Sequence, residues 1–374
     1  MELVRNPDSE SLSNIKRYLD PKKGLYFYFR TQALQMQKRF VKLASIGSTP
    51  IAFLHGNPHI DNYARTGTGC GMIDFDRSRM GPYSWDLVRL MSSLIIHKAC
   101  QDHKLEDIDK KVFESLLEGY RSRIEDPSMS YKSYGPLMKK KPQDWQVSTK
   151  AYLKANKRWA KKMRSNLIDP KDPRLDALFK GYVESRRKYH FLAKYEIAEA
   201  GITYGSLGKL RFIVVMKSIN DYEDDILLDI KEVYEDPDTD NFYNPYRNHG
   251  HRMVEASHLY APGVEQKIGY TSLAGQQYWV RQIPSLQIKI KEFLDDKSAA
   301  EFAYCVATQL GLGHQRSLLF SEPGNLVKHL QENYQYYIDI SYTLSEETLK
   351  AYKHYRELVC KKMLNLGESI DLWC

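Results

Sequence analysis

The sequence predicts an α+β protein of two lobes, in which a small five-stranded antiparallel sheet is set between helical regions. Three observations predict it. The chain has 374 residues, enough for two or three compact units of roughly 150 residues each. Strand-like apolar runs concentrate between residues 202 and 283. Helical spacing of apolar residues dominates before and after that block. The division this implies is a helical lobe over 1–198 that also carries two short strands, a β-rich lobe over 199–285, and a helical return over 286–374.

The elements follow in order. Residues 1–50 read as helical, with apolar faces from Tyr26–Phe29 and Leu34–Phe40. Ile51-Ala52-Phe53-Leu54 is a short apolar run that ends in His55-Gly56-Asn57-Pro58, a buried strand leading into a loop. Residues 63–70 are turn-rich. Gly71-Met72-Ile73 is a second short strand, ending at Asp74-Phe75-Asp76. Trp85–Lys98 has the helical spacing of Leu87, Leu90, Met91, Leu94 and Ile95, and Asp86 stands near its N-terminus, where a carboxylate suits the helix dipole. Residues 109–196 are mostly helical and charged, and looser around Asp126–Gln143. The pattern turns strand-like at Ile202. Arg211–Met216 and Ile226–Lys231 read as strands, 249–260 as a helix, and Lys267–Thr271 and Gln277–Ile283 as two further strands. Helix resumes near residue 298. No repeat or low-complexity tract interrupts the chain.

Composition narrows the classes of function. Apolar residues make up 42% and charged residues 27%, ordinary for a soluble globular chain. The net charge of +8 favours anionic ligands. Nucleotide phosphates rank above nucleic acid here, because the basic runs Lys139–Lys141 and Lys154–Arg164 read first as solvated helix faces. The cysteines Cys70, Cys100, Cys305, Cys360 and Cys374 are odd in number and widely spaced, with no CxxC, which argues against a disulfide framework and a structural zinc site. No secretory signal is visible, and no apolar run approaches the ~20 residues a membrane span needs. A cytoplasmic location is the simplest expectation.

Two constellations carry chemistry. The first is His55–Asn62 followed by Asp74-Phe75-Asp76. Two strand ends place polar groups at a cleft edge. Asn62 and Asp74, with Asp76 nearby, offer hard oxygen ligands suited to Mg²⁺ on a nucleotide's phosphates. A kinase catalytic loop has the same internal spacing, an acid, four intervening residues and an Asn, with a later metal-binding Asp after an apolar strand. Asn57 and Asn62 occupy the spaced pair. The plain alternative is a turn in which Asn and Asp cap local backbone. The second constellation is Gly205-Ser206-Leu207-Gly208 in a hairpin, then Lys231 on a strand and Glu255 on a helix. This is the order of a kinase nucleotide lobe, with Gly205, Ser206 and Gly208 at the phosphates and Lys231 held by Glu255. Glu232 is a rival partner that strand alternation points to the other face. Tyr278–Pro284, with Arg281 and Gln282, is either a plain edge strand or an edge strand and hinge beside an adenine. Gly313–Ser317 reads as a polar helix end.

These residues resemble a known family, the bacterial kinase-like proteins grouped as domain of unknown function 2252. Its motifs match Gly56-Asn57-Pro58-His59-Ile60-Asp61-Asn62-Tyr63, Asp74-Phe75-Asp76 and Gly81-Pro82-Tyr83-Ser84-Trp85-Asp86-Leu87-Val88-Arg89-Leu90. Later matches are Gly205–Gly208, Lys231-Glu232, Val254-Glu255, Val280-Arg281-Gln282 and His314–Ser317. The catalytic loop is also similar to those of aminoglycoside and choline kinases. The resemblance implies a bilobal protein-kinase-like fold, circularly permuted, that uses ATP and Mg²⁺ on an unknown small-molecule or protein acceptor. Permutation costs little where termini lie close together at a surface.

One position departs from the resemblance. The family has Asp where this chain has Asn57, and that Asp would accept the acceptor hydroxyl's proton. Three readings stay open: a nucleotide-binding pseudokinase with a regulatory or scaffold role, a chain inactivated at one residue, or an enzyme in which Asp61 or His59 takes over. The helices of 100–196 and 298–374 are expected to wall the acceptor side.

Overall fold

The computed structural model describes residues 2–140, 148–205, 208–220, 224–284, 287–293 and 295–365. Lys141, Ser206, Leu207 and Cys374 therefore lie outside the described residues. The N-terminal segment folds into helices α1 (Leu12–Tyr18), α2 (Gly24–Thr31) and α3 (Ala33–Leu43). Strands β1 (Ile51–Leu54), β2 (Tyr63–Thr66), β3 (Cys70–Met72) and β4 (Arg79–Pro82) precede α4 (Ser84–Ala99). Then come α5 (Lys110–Glu125), α6 (Gly135–Lys139), α7 (Thr149–Lys154), α8 (Arg158–Arg164), β5 (Leu167–Ile168), α9 (Pro173–Arg186) and α10 (Phe191–Lys194). The main sheet follows with β6 (Tyr195–Tyr204), β7 (Leu210–Ser218), β8 (Ile226–Glu232), α11 (His249–Tyr260), β9 (Gly269–Leu273) and β10 (Gln276–Gln282). Strand β11 (Gln287–Lys289) and helices α12 (Asp296–Arg316) and α13 (Pro323–Asn365) close the chain.

The fold is mixed α+β with several antiparallel sheets. The largest has the order β5-β6-β7-β8-β10-β9, antiparallel throughout. It holds six strands rather than five, because the two-residue β5 pairs with β6. Strand β6 starts at Tyr195, before the sequence turns strand-like. Its Glu-Ile-Ala-Glu-Ala stretch has little β preference of its own, and pairing with β7 across a bulge near Ile197 and Glu199 makes it a strand. Strand β10 lies between β8 and β9, so the expected edge strand at Tyr278–Gln282 is an interior one.

Both faces of this sheet are closed by helices that precede it. Phe212, Val214, Leu228, Ile230 and Val280 pack with Leu175, Leu178, Phe179 and Tyr182 of α9. On the other face, Ile213, Val215 and Leu227 pack with Leu153, Ala160 and Met163 of α7 and α8. The basic run Lys154–Arg164 thus contains an amphipathic helix with a buried apolar stripe, as a solvated helix face requires.

Two smaller sheets hold the loop motifs. Strand β1 pairs with β4. Strands β11, β2 and β3 form the other, with Lys289 opposite Ala64. The chain leaving the main sheet therefore docks directly beside Asn62. Beneath both lies α4, buried nearly all round, as for a helix at the centre of a core. Cys70, Cys100 and Cys305 are free thiols, whereas Cys360 is disulfide-bonded, a bond the cysteine spacing did not suggest. Among the described residues no helix is long and apolar enough to cross a membrane.

Helices α5 and α12 approach backbone to backbone. A Cβ on Gly119 would lie 2.6 Å from the Tyr304 carbonyl oxygen, and one on Gly311 would lie 2.6 Å from that of Tyr120. This contact sets where α12 delivers His314. Gly311→Ala is expected to force the helices apart and lower stability by about 1–3 kcal/mol. The urea midpoint measures it, and an unchanged midpoint would mean that the helices separate freely.

Candidate active site

The loop after β1 is shaped by one buried carboxylate. Asp86 accepts the backbone N–H groups of His55 at 2.8 Å and Gly56 at 2.9 Å, and Nε2 of His314 lies 3.1 Å from it. His314 is steadied in turn by the Tyr120 hydroxyl, 2.7 Å from Nδ1. Gly56 adopts φ +81°, and a Cβ there would sit 1.8 Å from the Arg77 carbonyl oxygen, so only glycine fits. The indole N–H of Trp85 donates to the Gly56 carbonyl at 2.8 Å, and Ser317 Oγ accepts the Phe53 N–H at 3.0 Å. His314 and Ser317 therefore do more than close a helix, since they brace the strand and loop that carry Asn57.

Asn57 has a specific neighbour. Its Oδ1 accepts from Nε of Arg89 at 2.8 Å. Arg89 is fully buried, stacked 3.7 Å from the Phe29 ring, and its other hydrogen bonds go to the Phe29 and Arg30 carbonyls and the Met36 sulfur. None of these partners carries charge. Burial pushes the Arg89 guanidinium down to about 9. Asn62 donates from Nδ2 to the Asn57 carbonyl at 3.1 Å, while its buried Oδ1 has no hydrogen-bond partner. His59 is buried with Nδ1 unpartnered, and burial followed by the charges of Arg30 and Arg89 holds it well below the usual histidine range. Asp61 points elsewhere. It pairs with Arg30 at 2.7 Å, and its carbonyl accepts from Lys289 at 2.7 Å.

The acidic strand end meets the sheet lysine. Nζ of Lys231 lies 2.5 Å from Oδ2 of Asp76, between residues 155 positions apart. Asp76 Oδ1 is buried without a hydrogen-bond partner. Asp74 holds φ +69°, an uncommon conformation for a side-chain-bearing residue and one that marks a constrained turn. Burial alone would raise the Asp74 carboxyl, but the charges of Lys231, Lys289, Arg281 and Arg30 hold it at about 2. For Asp76 burial wins and the carboxyl is pushed up, with Asp74 opposing ionisation and Lys231 favouring it. Arg252 of α11 ties the two parts together, donating to the Asp76 carbonyl at 3.1 Å and the Tyr234 carbonyl at 3.2 Å. The Tyr234 ring receives Lys231 at 5.1 Å, Arg77 at 5.2 Å and Lys209 at 6.0 Å.

Other expected residues sit apart from this point. The Lys231–Glu255 pair does not form. Glu255 is partly exposed and bonds to His251 one helical turn back at 3.2 Å, because Asp76 already neutralises the lysine. Glu232 points to the opposite face and takes Lys209 at 2.7 Å. In the hairpin Gly208 has φ +76°, but the Gly205 N–H donates to the Lys209 carbonyl and the Gly208 N–H to the Gly205 carbonyl, so these two amides are engaged locally. Ser206 lies outside the described residues. Arg281 pairs with buried Glu265 and, at 3.6 Å, with Asp229. The Gln282 N–H bonds to the Gln266 carbonyl at 2.8 Å. These contacts narrow the cavity beside Arg281 and Gln282 to about 80 Å³, well below the ~300 Å³ at which ligand pockets begin.

Asn57, His59, Asp74, Asp76 and Tyr234 line one cleft of about 320 Å³. A family model described as an uncharacterized protein conserved in bacteria (DUF2252) matches residues 16–168 and 138–358. The chain belongs to the DUF2252 family. No curated protein and no solved structure shows a match to it.

The matched segments of this DUF2252 protein include residues from both parts of the cleft, the loop residues in the first and Tyr234 in the second, which also holds Lys231. Sequence reasoning missed Arg252, Tyr234 and Lys289. Each acts through a contact with a distant segment and carries no spacing signal. Arg89 did carry one, since an arginine inside an otherwise apolar helical face needs a buried partner.

Two measurements test the electrostatics of this loop. Asn57→Asp is expected to give Arg89 the counter-charge it lacks and raise stability by about 1 kcal/mol or more at pH 7. A fall in the urea midpoint would show that the amide is the better partner. His55 and His59 are both held below the ordinary histidine pKa by burial. The unfolded chain therefore binds protons that the folded chain refuses, so stability falls as pH drops below about 6.5, by up to about 1.4 kcal/mol per pH unit for each group. Urea midpoints between pH 7.5 and 5.5 read the slope, and a flat profile contradicts it.

Proposed function

We propose that this protein is an ATP- and Mg²⁺-dependent phosphotransferase with a kinase-like, circularly permuted architecture, acting on a small-molecule or protein acceptor, and that Asn57 limits its turnover. The observation that carries this reading is the meeting of Lys231, on the main sheet, with Asp76, which lines one cleft together with Asp74 and Asn57. A lysine from a sheet and carboxylates from a loop are the groups that hold a triphosphate and its metal from two sides. The order of the elements supports permutation. The loop and its acidic strand end come first, the β-rich segment follows, and α12 returns to brace the loop through His314.

The residues fit Mg²⁺. Among the described residues no cluster of three or more His, Cys, Asp or Glu is suited to a metal, so a cage built by the protein alone is absent from them. Mg²⁺ is more often held by one or two carboxylates together with substrate phosphates. Asp74 and Asp76 Oδ1, which line the cleft, with Asn62 Oδ1 from the adjoining loop, would be such a set, and the Asp76 and Asn62 oxygens are buried without hydrogen-bond partners. The bound metal would neutralise charge on the phosphate oxygens. Lys231 would exchange Asp76 for phosphate. Asn57, whose Oδ1 is engaged by Arg89, keeps only its amide donor for an acceptor oxygen and cannot take a proton. His59 faces the same cleft but stays neutral and weakly basic.

A second reading, a nucleotide-binding pseudokinase with a regulatory role, is favoured by that same Asn57 amide. Calorimetric titration with ATP and Mg²⁺ tests both. Binding is expected in the micromolar to millimolar range, weakened about tenfold or more by Lys231→Met in a sample shown folded by circular dichroism. Absence of binding by the folded parent chain removes both readings. Turnover gained in Asn57→Asp favours the enzyme, whereas binding without turnover in either form favours the pseudokinase.

A further inference from the structure

The cleft that Asn57 lines is dense in arginine, two of them on α1 and α2 and two on the segments before α1 and after Asp76. Arg5, Arg17, Arg30 and Arg77 all line it, with Asn14 and Gln35 among the uncharged polar groups. Three of the four are balanced by carboxylates that do not line the cleft: Arg5 by Glu10, Arg30 by Asp61 and Arg77 by Asp236. Arg17 is the exception. It is exposed, stacked 3.7 Å from the Phe27 ring, and has no ion-pair partner among the described residues. Nε of Arg30, next to it, is buried without a hydrogen-bond partner. The two guanidiniums oppose each other's charge, and burial followed by Arg30 holds Arg17 below its ordinary value. The unpaired guanidinium of Arg17 and the unpartnered Nε of Arg30, whose other end is held by Asp61, leave donors for a planar or tetrahedral oxyanion, which arginine grips by paired N–H donors.

We infer that Arg17, with Arg30, forms an anion subsite in the cleft, and that the acceptor is a small hydroxylated compound bearing a phosphate or carboxylate group. Naming the acceptor rests on the phosphotransferase reading above, whereas the anion subsite does not. The cleft volume of about 320 Å³ lies at the small end of ligand pockets and suits a compact acceptor better than a folded protein segment. The two carboxylates that share the cleft, Asp74 and Asp76, both feel the charge of Lys231, and Asp76 pairs with it directly.

The test is calorimetric titration of the full chain with inorganic phosphate at constant ionic strength, with and without saturating Mg²⁺ and a non-hydrolysable ATP analogue. Arg17→Met keeps the apolar stem on Phe27 and removes the charge, and Arg17→Lys keeps the charge without the fork. Phosphate is expected to bind the parent chain whether or not the nucleotide analogue is present, about tenfold or more weaker in Arg17→Met and intermediate in Arg17→Lys, while affinity for the nucleotide analogue stays within about twofold. Equal phosphate binding by the parent chain and Arg17→Met overturns the inference, as does no phosphate binding by the parent chain. If the nucleotide analogue fails to bind while phosphate binding still depends on Arg17, the anion subsite stands and the phosphotransferase reading falls.

Discussion

A lysine on the central sheet and an aspartate 155 residues earlier neutralise one another inside the molecule. Neither group could be placed there alone, since an unpaired charge in such surroundings is costly. Their pairing joins the main sheet to the loop that ends at Asp76. Strand β8 must present Lys231 toward the loop, and the loop must turn at Asp74 with φ +69° to present Asp76. Arg252 locks that turn to the segment leaving β8. Strand β11 then carries the chain back beside Asn62, which brings Lys289 to the Asp61 carbonyl.

A second buried carboxylate organises the other half of the cleft. Asp86 gathers two backbone amides of the His55–Gly56 turn and the imidazole of His314, so the loop is held by α4 from below and by α12 from the side. The close approach of α5 and α12 at Gly119 and Gly311 thereby reaches the cleft through Tyr120 and His314. The loop is rigidly supported, but its residue 57 is an amide facing a buried, uncompensated guanidinium. The framework around Arg89 suits a carboxylate at that position.

Much of this was legible in the sequence. The apolar runs that end in His55–Asn62 and Asp74–Asp76 announced strand ends, and the strands at Arg211–Met216 and Ile226–Lys231 appear with small shifts. What stayed hidden depends on distant pairing. Strand β2 is four residues long and exists because β3 and β11 flank it, and β4 exists because β1 does. Glu255 looked like the partner of Lys231 because helix order suggested it, yet Asp76 is closer and better desolvated. The arginine wall was unreadable for the same reason, since Arg5, Arg17, Arg30 and Arg77 come from separate turns that converge only after folding.

The most direct test of this account is a crystal structure of the full chain with Mg²⁺ and a non-hydrolysable ATP analogue. The triphosphate should lie between the Lys231 ammonium and the Asp74–Asp76 carboxylates, with the metal touching Asp74 and Asn62 Oδ1 and the Lys231–Asp76 contact exchanged for phosphate. An analogue bound elsewhere on the molecule, with Lys231 still paired to Asp76, would contradict it.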